Sequence, residues 1–216
     1  SASYEPDYMF DKISALVDSL KDPMLKKLVS AVLDEYKDRI FELPGAYKLH
    51  HAIRGGLLMH TLSICRMALA VAETYPSIDR DLLLSGVILH DIAKSEEFSV
   101  APSGLVDGYT AGGTLIGHLV KGAIIVDEIG KKNNIDENTL MLVEHMLISH
   151  HGEPEFGAAV RPLFLEAVVL SALDSLDANI YEIENAVKDV EVGDFTARMW
   201  ALDDRKFFNH GRKKVT

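Results

Sequence analysis

Apolar positions along this chain recur at helical rather than strand spacing, and the breaks in that spacing divide it into segments. From Tyr8 to Leu20, Phe10, Ile13, Leu16, Val17 and Leu20 fall on one helical face. Asp22-Pro23 restarts the chain as a cap with a first-turn proline. Leu25, Leu28, Val29, Val32, Leu33 and Tyr36 then line a second face up to the stop at Leu43-Pro44-Gly45. Ala46 to Gly56 reads as a loop. Leu57 to Tyr75 is the next helix and ends at Pro76; Asp79 caps another that runs to about Lys94. Ser95 to Gly113 is glycine-rich, and Val100, Val106 and Tyr109 around Pro102-Ser103-Gly104 predict a short hairpin. Helices are expected over Thr114 to Lys132, interrupted by Gly117 and Gly122 where a neighbour packs closely, and over Asp136 to His151, stopped by Gly152. A long helix follows over Pro162 to Val187, with Pro162 in its first turn, and Asp194 caps a last short helix through Leu202.

With no internal repeat, low-complexity linker or compositional shift, the expectation is all-α: one domain over 1–216 with a small β-hairpin insertion. It divides into a helical extension over 1–45, a core over 46–187, and a C-terminal helix and tail over 188–216. At 48% hydrophobic, 216 residues can bury roughly 70% of the unfolded surface, so a real core is available. The single cysteine, Cys65, cannot form an internal disulfide. No uninterrupted apolar run reaches roughly 18 residues and no signal peptide opens the chain, so a cytoplasmic protein with no membrane role is the default. The chain opens on Ser1 rather than Met, as expected of a processed chain or a piece of something longer. A net charge of −11 argues against a large nucleic-acid-binding surface. Two divalent cations would add roughly +4 at one place, so a phosphate could still be held there. Lys131-Lys132 and Arg212-Lys213-Lys214 read as solvated ends.

Candidate chemistry gathers at the ends of the apolar runs. His90-Asp91 closes Leu82 to Leu89; His60 precedes the pair, and His118, His150-His151 and Asp174 follow it. Imidazoles and carboxylates from separate segments suit a hard-to-borderline divalent metal, and an aspartate can bridge two. His60, with Leu57, Ile64 and Ala68 at helical spacing, would alone pass as a core histidine, and His118 beside Gly117 would be unremarkable. Asp174 is different: it stands in the apolar run Val168 to Leu173, where an unpaired carboxylate would cost several kcal/mol. A metal removes that cost. Asp177 is three residues on and shares the face. Five segments each deliver a ligand-type residue next to apolar sequence.

These residues occur as Gly55-Gly56-Leu57-Leu58-Met59-His60-Thr61, His90-Asp91-Ile92-Ala93-Lys94, Gly117-His118, Ser149-His150-His151-Gly152 and Leu173-Asp174-Ser175-Leu176-Asp177-Ala178. In that order they resemble the HD-domain superfamily of metal-dependent phosphohydrolases. Within it the chain is most similar to the catalytic domain of YhaM-type 3′→5′ exoribonucleases, on His50-His51-Ala52, Tyr75-Pro76, Asp79-Arg80-Asp81-Leu82 and Ala201-Leu202-Asp203. The resemblance implies an HD helical bundle in which His60, His90, Asp91 and Asp174 hold one divalent metal. Asp91 as a bridge, His118 and at least one of His150 and His151 would hold a second. Manganese is the first expectation, with iron, cobalt, magnesium, nickel or zinc as alternatives. Lys94 matches a lysine that faces the phosphate. Two departures stand out: Met59 occupies a place where members often carry Glu, and YhaM-type enzymes carry an N-terminal OB-fold where this chain has two helices.

The activity implied is a metal-dependent phosphohydrolase acting on a phosphodiester, 3′→5′ exonuclease-like on single-stranded RNA or DNA, by attack of a metal-activated water on phosphorus. Asp91 holds that water opposite it, Lys94 and Arg54 contact the phosphate, and Asp177 orients the water or a ligand histidine. Alternatives are a phosphohydrolase of small or cyclic nucleotides, a di-iron HD oxygenase and a non-catalytic nucleotide sensor. An OB-fold on a separate or deleted segment, and an oligomer, are compatible with each.

Overall fold

The computed structural model describes residues 5–40, 43, 55–102 and 106–215. Two antiparallel helices open the chain, α1 (Pro6–Asp18) and α2 (Pro23–Ile40). Asp22 caps α2 by accepting from the amides of Met24 and Leu25. One oxygen of Asp81 accepts from the amides of Lys21 and Asp22, at 2.7 Å each, and ties this turn to the next layer.

That layer consists of α3 (Gly56–Thr74) and α4 (Arg80–Leu89), and α4 is the centre of the molecule. It packs against α2, α3, α8 (Glu137–Ser149) and α9 (Leu165–Val187), so every residue from Leu82 to Leu89 is buried. Gly86 makes the approach to α8 possible: a Cβ there would lie 2.2 Å from the Met146 Cε. α3 is long and apolar enough to cross a membrane by length and composition, but half of its apolar stretch is buried within the protein. Buried side chains from Met9 in α1 to Leu173 in α9 form one continuous cluster. The predicted hairpin is present as β1 (Phe98–Val100) and β2 (Val106–Tyr109), antiparallel with Phe98 opposite Tyr109.

The boundaries differ from expectation at four places. The helix capped by Asp79 stops at Leu89, and His90 to Ala93 form tight turns before the short α5 (Lys94–Glu97). The helix expected over Thr114 to Lys132 is two, α6 (Ala111–Leu115) and α7 (His118–Lys132), because Gly117 has φ +78°, which no helical residue adopts. Pro162 lies before α9 rather than in its first turn, since the Leu163 amide is committed to His145 Nε2 at 2.9 Å. The C-terminal helix expected from Asp194 to Leu202 is absent apart from a 3-10 turn at Trp200–Leu202. The backbone there pairs across a hairpin-like arm instead: Thr196 donates to Phe207, Met199 to Arg205 and Asn209 to Asp194.

Candidate metal centre

The centre lies where α3, α4, α7, α8 and α9 converge, and helix ends aim its side chains. His90 follows α4 and His150 follows α8, each in helical conformation. At such an end the last carbonyls have no partner within the helix. His90 Nδ1 donates to the Val87 carbonyl at 2.6 Å and His150 Nδ1 to the Leu147 carbonyl at 2.7 Å. The same device therefore acts twice: a carbonyl three residues back fixes the imidazole and turns Nε2 inward. Three further histidines are held through Nδ1. His151 donates to the Phe156 carbonyl at 2.8 Å, His118 to Glu97 Oε2 at 2.9 Å and His60 to Asp177 Oδ2 at 2.6 Å. Tethering one ring nitrogen fixes the tautomer and lets the other serve as a ligand.

Those inward nitrogens divide between the two oxygens of Asp91. Oδ2 lies 3.2 Å from His90 Nε2 and 3.7 Å from His60 Nε2, and Asp174 Oδ1 is 2.8 Å from His60 Nε2 and 3.5 Å from His90 Nε2. Oδ1 lies 3.2 Å from His118 Nε2 and 3.4 Å from His150 Nε2. The donor atoms of His60, His90, Asp91 and Asp174 all fall within 4.8 Å of one another, as do those of His118, His150 and His151. The Nε2 atoms of His90, His118 and His150 and the Oδ1 of Asp91 are buried without a hydrogen-bond partner. Buried polar atoms are rarely left so, and a convergent set of them fits divalent cations better than any arrangement of protein groups alone.

Electrostatics follow from this crowding. Burial opposes charge on His90, but the Asp91 carboxylate and the nearby Asp174 carboxylate raise its pKa to about 10. Burial is also outweighed at His60, by hydrogen bonds to Asp174 and Asp177, and at His118, by the nearby Asp91 carboxylate and the hydrogen bond to Glu97; both pKa values lie above the ordinary imidazole value. Burial dominates at His150, pushed down to about 4, and at His151, also lowered. Against burial, the charges of His90 and Lys94 hold Asp91 well below the usual carboxylate range, and the hydrogen bond from His60 with the nearby His90 imidazole does the same for Asp174.

The sequence-predicted residues are brought together with one exception. Lys94 is buried with Nζ 3.3 Å from Asp91 Oδ2. Asp177 stands behind His60, while Met59 packs against the core. Arg54, and with it His50-His51-Ala52, lies outside the described residues. Glu97 was missed: its Oε2 accepts both the backbone amide and Nδ1 of His118, at 2.7 and 2.9 Å. In the sequence it is half of an ordinary Glu96-Glu97 pair, with no signal that it points inward. Also missed were Ser175, Asn179 and Arg205, which line a cleft of about 420 Å³ together with Asp91, Lys94, His151, Asp174 and the arm tip Ala201-Leu202-Asp203.

The HD-domain profile matches residues 57–179, a span that holds every one of the clustered histidines and aspartates. The chain belongs to the HD-domain family. Among curated proteins this HD-domain chain is 36% identical over 212 residues to the 3′-5′ exoribonuclease YhaM of Listeria welshimeri, covering 97% of this chain and 66% of the relative. It is 37% and 35% identical over 203 residues to the proteins of that name from Bacillus licheniformis and Bacillus subtilis, in both cases covering 93% of this chain and 63% of the relative. The HD-domain chain therefore spans just under two thirds of the length of these relatives. No solved structure matches it.

Proposed function

We propose that this chain is the catalytic part of a binuclear phosphodiesterase that removes nucleotides from the 3′ end of single-stranded RNA or DNA. The observation that carries the reading is the division of Asp91 between two donor sets. One ion would be held by His60, His90, Asp174 and Asp91 Oδ2, the other by His118, His150, His151 and Asp91 Oδ1. Manganese is the first candidate. Such ions supply a water with its pKa brought from 15.7 toward about 7 and Lewis acidity toward a phosphoryl oxygen.

The chain's own residues do the rest. Asp177, Glu97 and the carbonyls of Val87, Leu147 and Phe156 hold the imidazoles in the tautomer that offers Nε2. Lys94, at the cleft wall, donates to a non-bridging oxygen of the scissile phosphate and offsets charge that grows there during displacement. Ser175, beside Asp174, and Asn179, one turn further along α9, offer hydrogen bonds to the terminal nucleotide. The relatives' names support a 3′-5′ direction and an RNA substrate. An OB-fold has no counterpart among the described residues and would come from a separate segment or partner.

Metal analysis of the purified chain, followed by turnover of a labelled oligoribonucleotide against mononucleotides and cyclic nucleotides in manganese, tests this. Stepwise release of mononucleotides, lost in Asp91→Ala together with metal content, is expected. An untouched oligonucleotide beside hydrolysed cyclic or mononucleotides would shift the substrate class. Iron with substrate-dependent oxygen uptake would replace the hydrolase reading altogether.

A further inference from the structure

The net charge of −11 conceals an uneven distribution. Residues 194–216 carry six basic side chains, Arg198, Arg205, Lys206, Arg212, Lys213 and Lys214, against three acidic ones, Asp194, Asp203 and Asp204, a net of +3. The same stretch holds Phe195, Phe207, Phe208 and Trp200, the only tryptophan of the chain. It lies beyond the 57–179 span of the family match. Residues 194–209 form the hairpin-like arm, a built structure, and the exposed Arg212-Lys213-Lys214 follow directly after it. Backbone pairs hold its two limbs, Thr196 and Leu202 are buried, and Asn209 donates from Nδ2 to the Val190 carbonyl at 2.7 Å. Its aromatic rings are nevertheless presented to solvent: Trp200 is 76% exposed, Phe195 60% and Phe208 47%, the last two with centroids 5.0 Å apart. Arg205 is fixed by its Nε bond to the Leu202 carbonyl and lies 5.2 Å over the Phe207 ring.

We propose that this arm is a single-strand-binding surface, which guides the polynucleotide into the cleft; the inference rests on the phosphodiesterase reading above. Charge complementarity comes from a basic strip on an acidic protein. Exposed, rigidly held aromatic rings are stacking platforms for unpaired bases, whose faces a duplex hides. Continuity favours the occupant: the arm tip, Ala201 to Asp203, and Arg205 share the cleft wall with Asp91 and Lys94, so a strand with its 3′ end at the centre meets the arm as it leaves on that side. An anionic lipid surface would meet the same charge but has no reason to adjoin that cleft.

The test uses the full chain with a 12-nucleotide single strand in chelator, so that nothing is cut. Trp200 emission should be quenched on titration. Trp200→Ala should weaken binding about tenfold. Arg212, Lys213 and Lys214 changed together to Ala should flatten the slope of log affinity against log salt by about 2. Circular dichroism shows whether each variant is folded, and the quenching experiment needs no variant. Unchanged emission with variants that bind like the parent would overturn the proposal. So would equal binding of a duplex, or quenching by phosphatidylserine vesicles and not by the strand. Hydrolysis of bis(p-nitrophenyl) phosphate by the unmodified chain in manganese tests the catalytic reading separately: its failure leaves the binding result standing, and the reverse also holds.

Discussion

If Asp91 serves two donor sets, the carboxylates behind them should be separable. Glu97 Oε2 accepts two bonds from His118, a member of the Oδ1 set; Asp177 Oδ2 lies 2.6 Å from His60 Nδ1, a member of the Oδ2 set. Glu97→Gln and Asp177→Asn keep the shape and remove the charge. An amide oxygen still accepts one bond, but the imidazole it faces becomes a weaker base and loses orientation. Losing such a partner weakens metal affinity about 10- to 100-fold, or about 1.4–2.7 kcal/mol. Each variant should weaken one ion by that factor and spare the other. Manganese titrations against a competing chelator, followed by electron paramagnetic resonance, read the two affinities directly. If both variants weaken the same ion, or each removes both ions together, the two-set division is wrong.

Protonation gives a second test. The folded His90 pKa of about 10 lies above the unfolded value of about 6.5, so its stabilisation is complete below pH 6.5 and is lost as pH rises toward 10. His60 and His118 are shifted in the same direction; His150, pushed down to about 4, and His151, also lowered, oppose the trend only near pH 6.5, where their unfolded forms still lose protons. The melting temperature in chelator should fall from pH 6.5 to 8.5, below the range where the buried Cys65 thiol, pushed up to about 12, adds the same sign. In saturating manganese it should hold or rise, and a metal-free melting temperature that is flat or rising would count against the proton network. Separately, Gly113→Ala would place a Cβ 2.4 Å from the Glu97 carbonyl oxygen and 2.8 Å from its Cα. Backbone cannot swing away as a side-chain end can, so a loss of about 1–3 kcal/mol is expected in denaturant melts. Weakening of the His118-side ion should accompany it; normal stability would show that the Glu97 backbone is not fixed there.

Much of this architecture is legible because burial leaves a period. The faces of α1 and α2 are written at helical spacing, and Gly86 marks the close crossing of α4 and α8. The ligand residues are legible for a related reason: a histidine or aspartate inside an apolar run is a desolvation cost that something must offset. What stayed illegible depends on tertiary partners. Glu97 has no apolar run around it, and its role exists only because α7 begins 21 residues later with a free amide. The arm was misread because Asp194 is a plausible helix cap and its charge was averaged into the whole chain. Its limbs find each other across a turn, a preference that no window of local periodicity contains.

Why a ligand pair falls at a helix end can also be argued from backbone chemistry. A histidine within a helix has no free carbonyl of its own helix within reach, so its ring needs a partner from another element, as His60 has in Asp177. In the last turn the carbonyls are orphaned, and Nδ1 satisfies one while Nε2 points beyond the helix axis. His90 and His150 use the bond identically, on two helices that Gly86 lets approach, and their rings meet edge to face with centroids 4.9 Å apart. Asp91, the next residue after one of those ends, sits in a turn no longer bound to helical geometry and can present an oxygen to each donor set. A helix extended through Lys94, as the sequence pattern suggested, would have carried Asp91 round by about 100° from His90. The early stop of α4 is therefore the local event on which the centre depends.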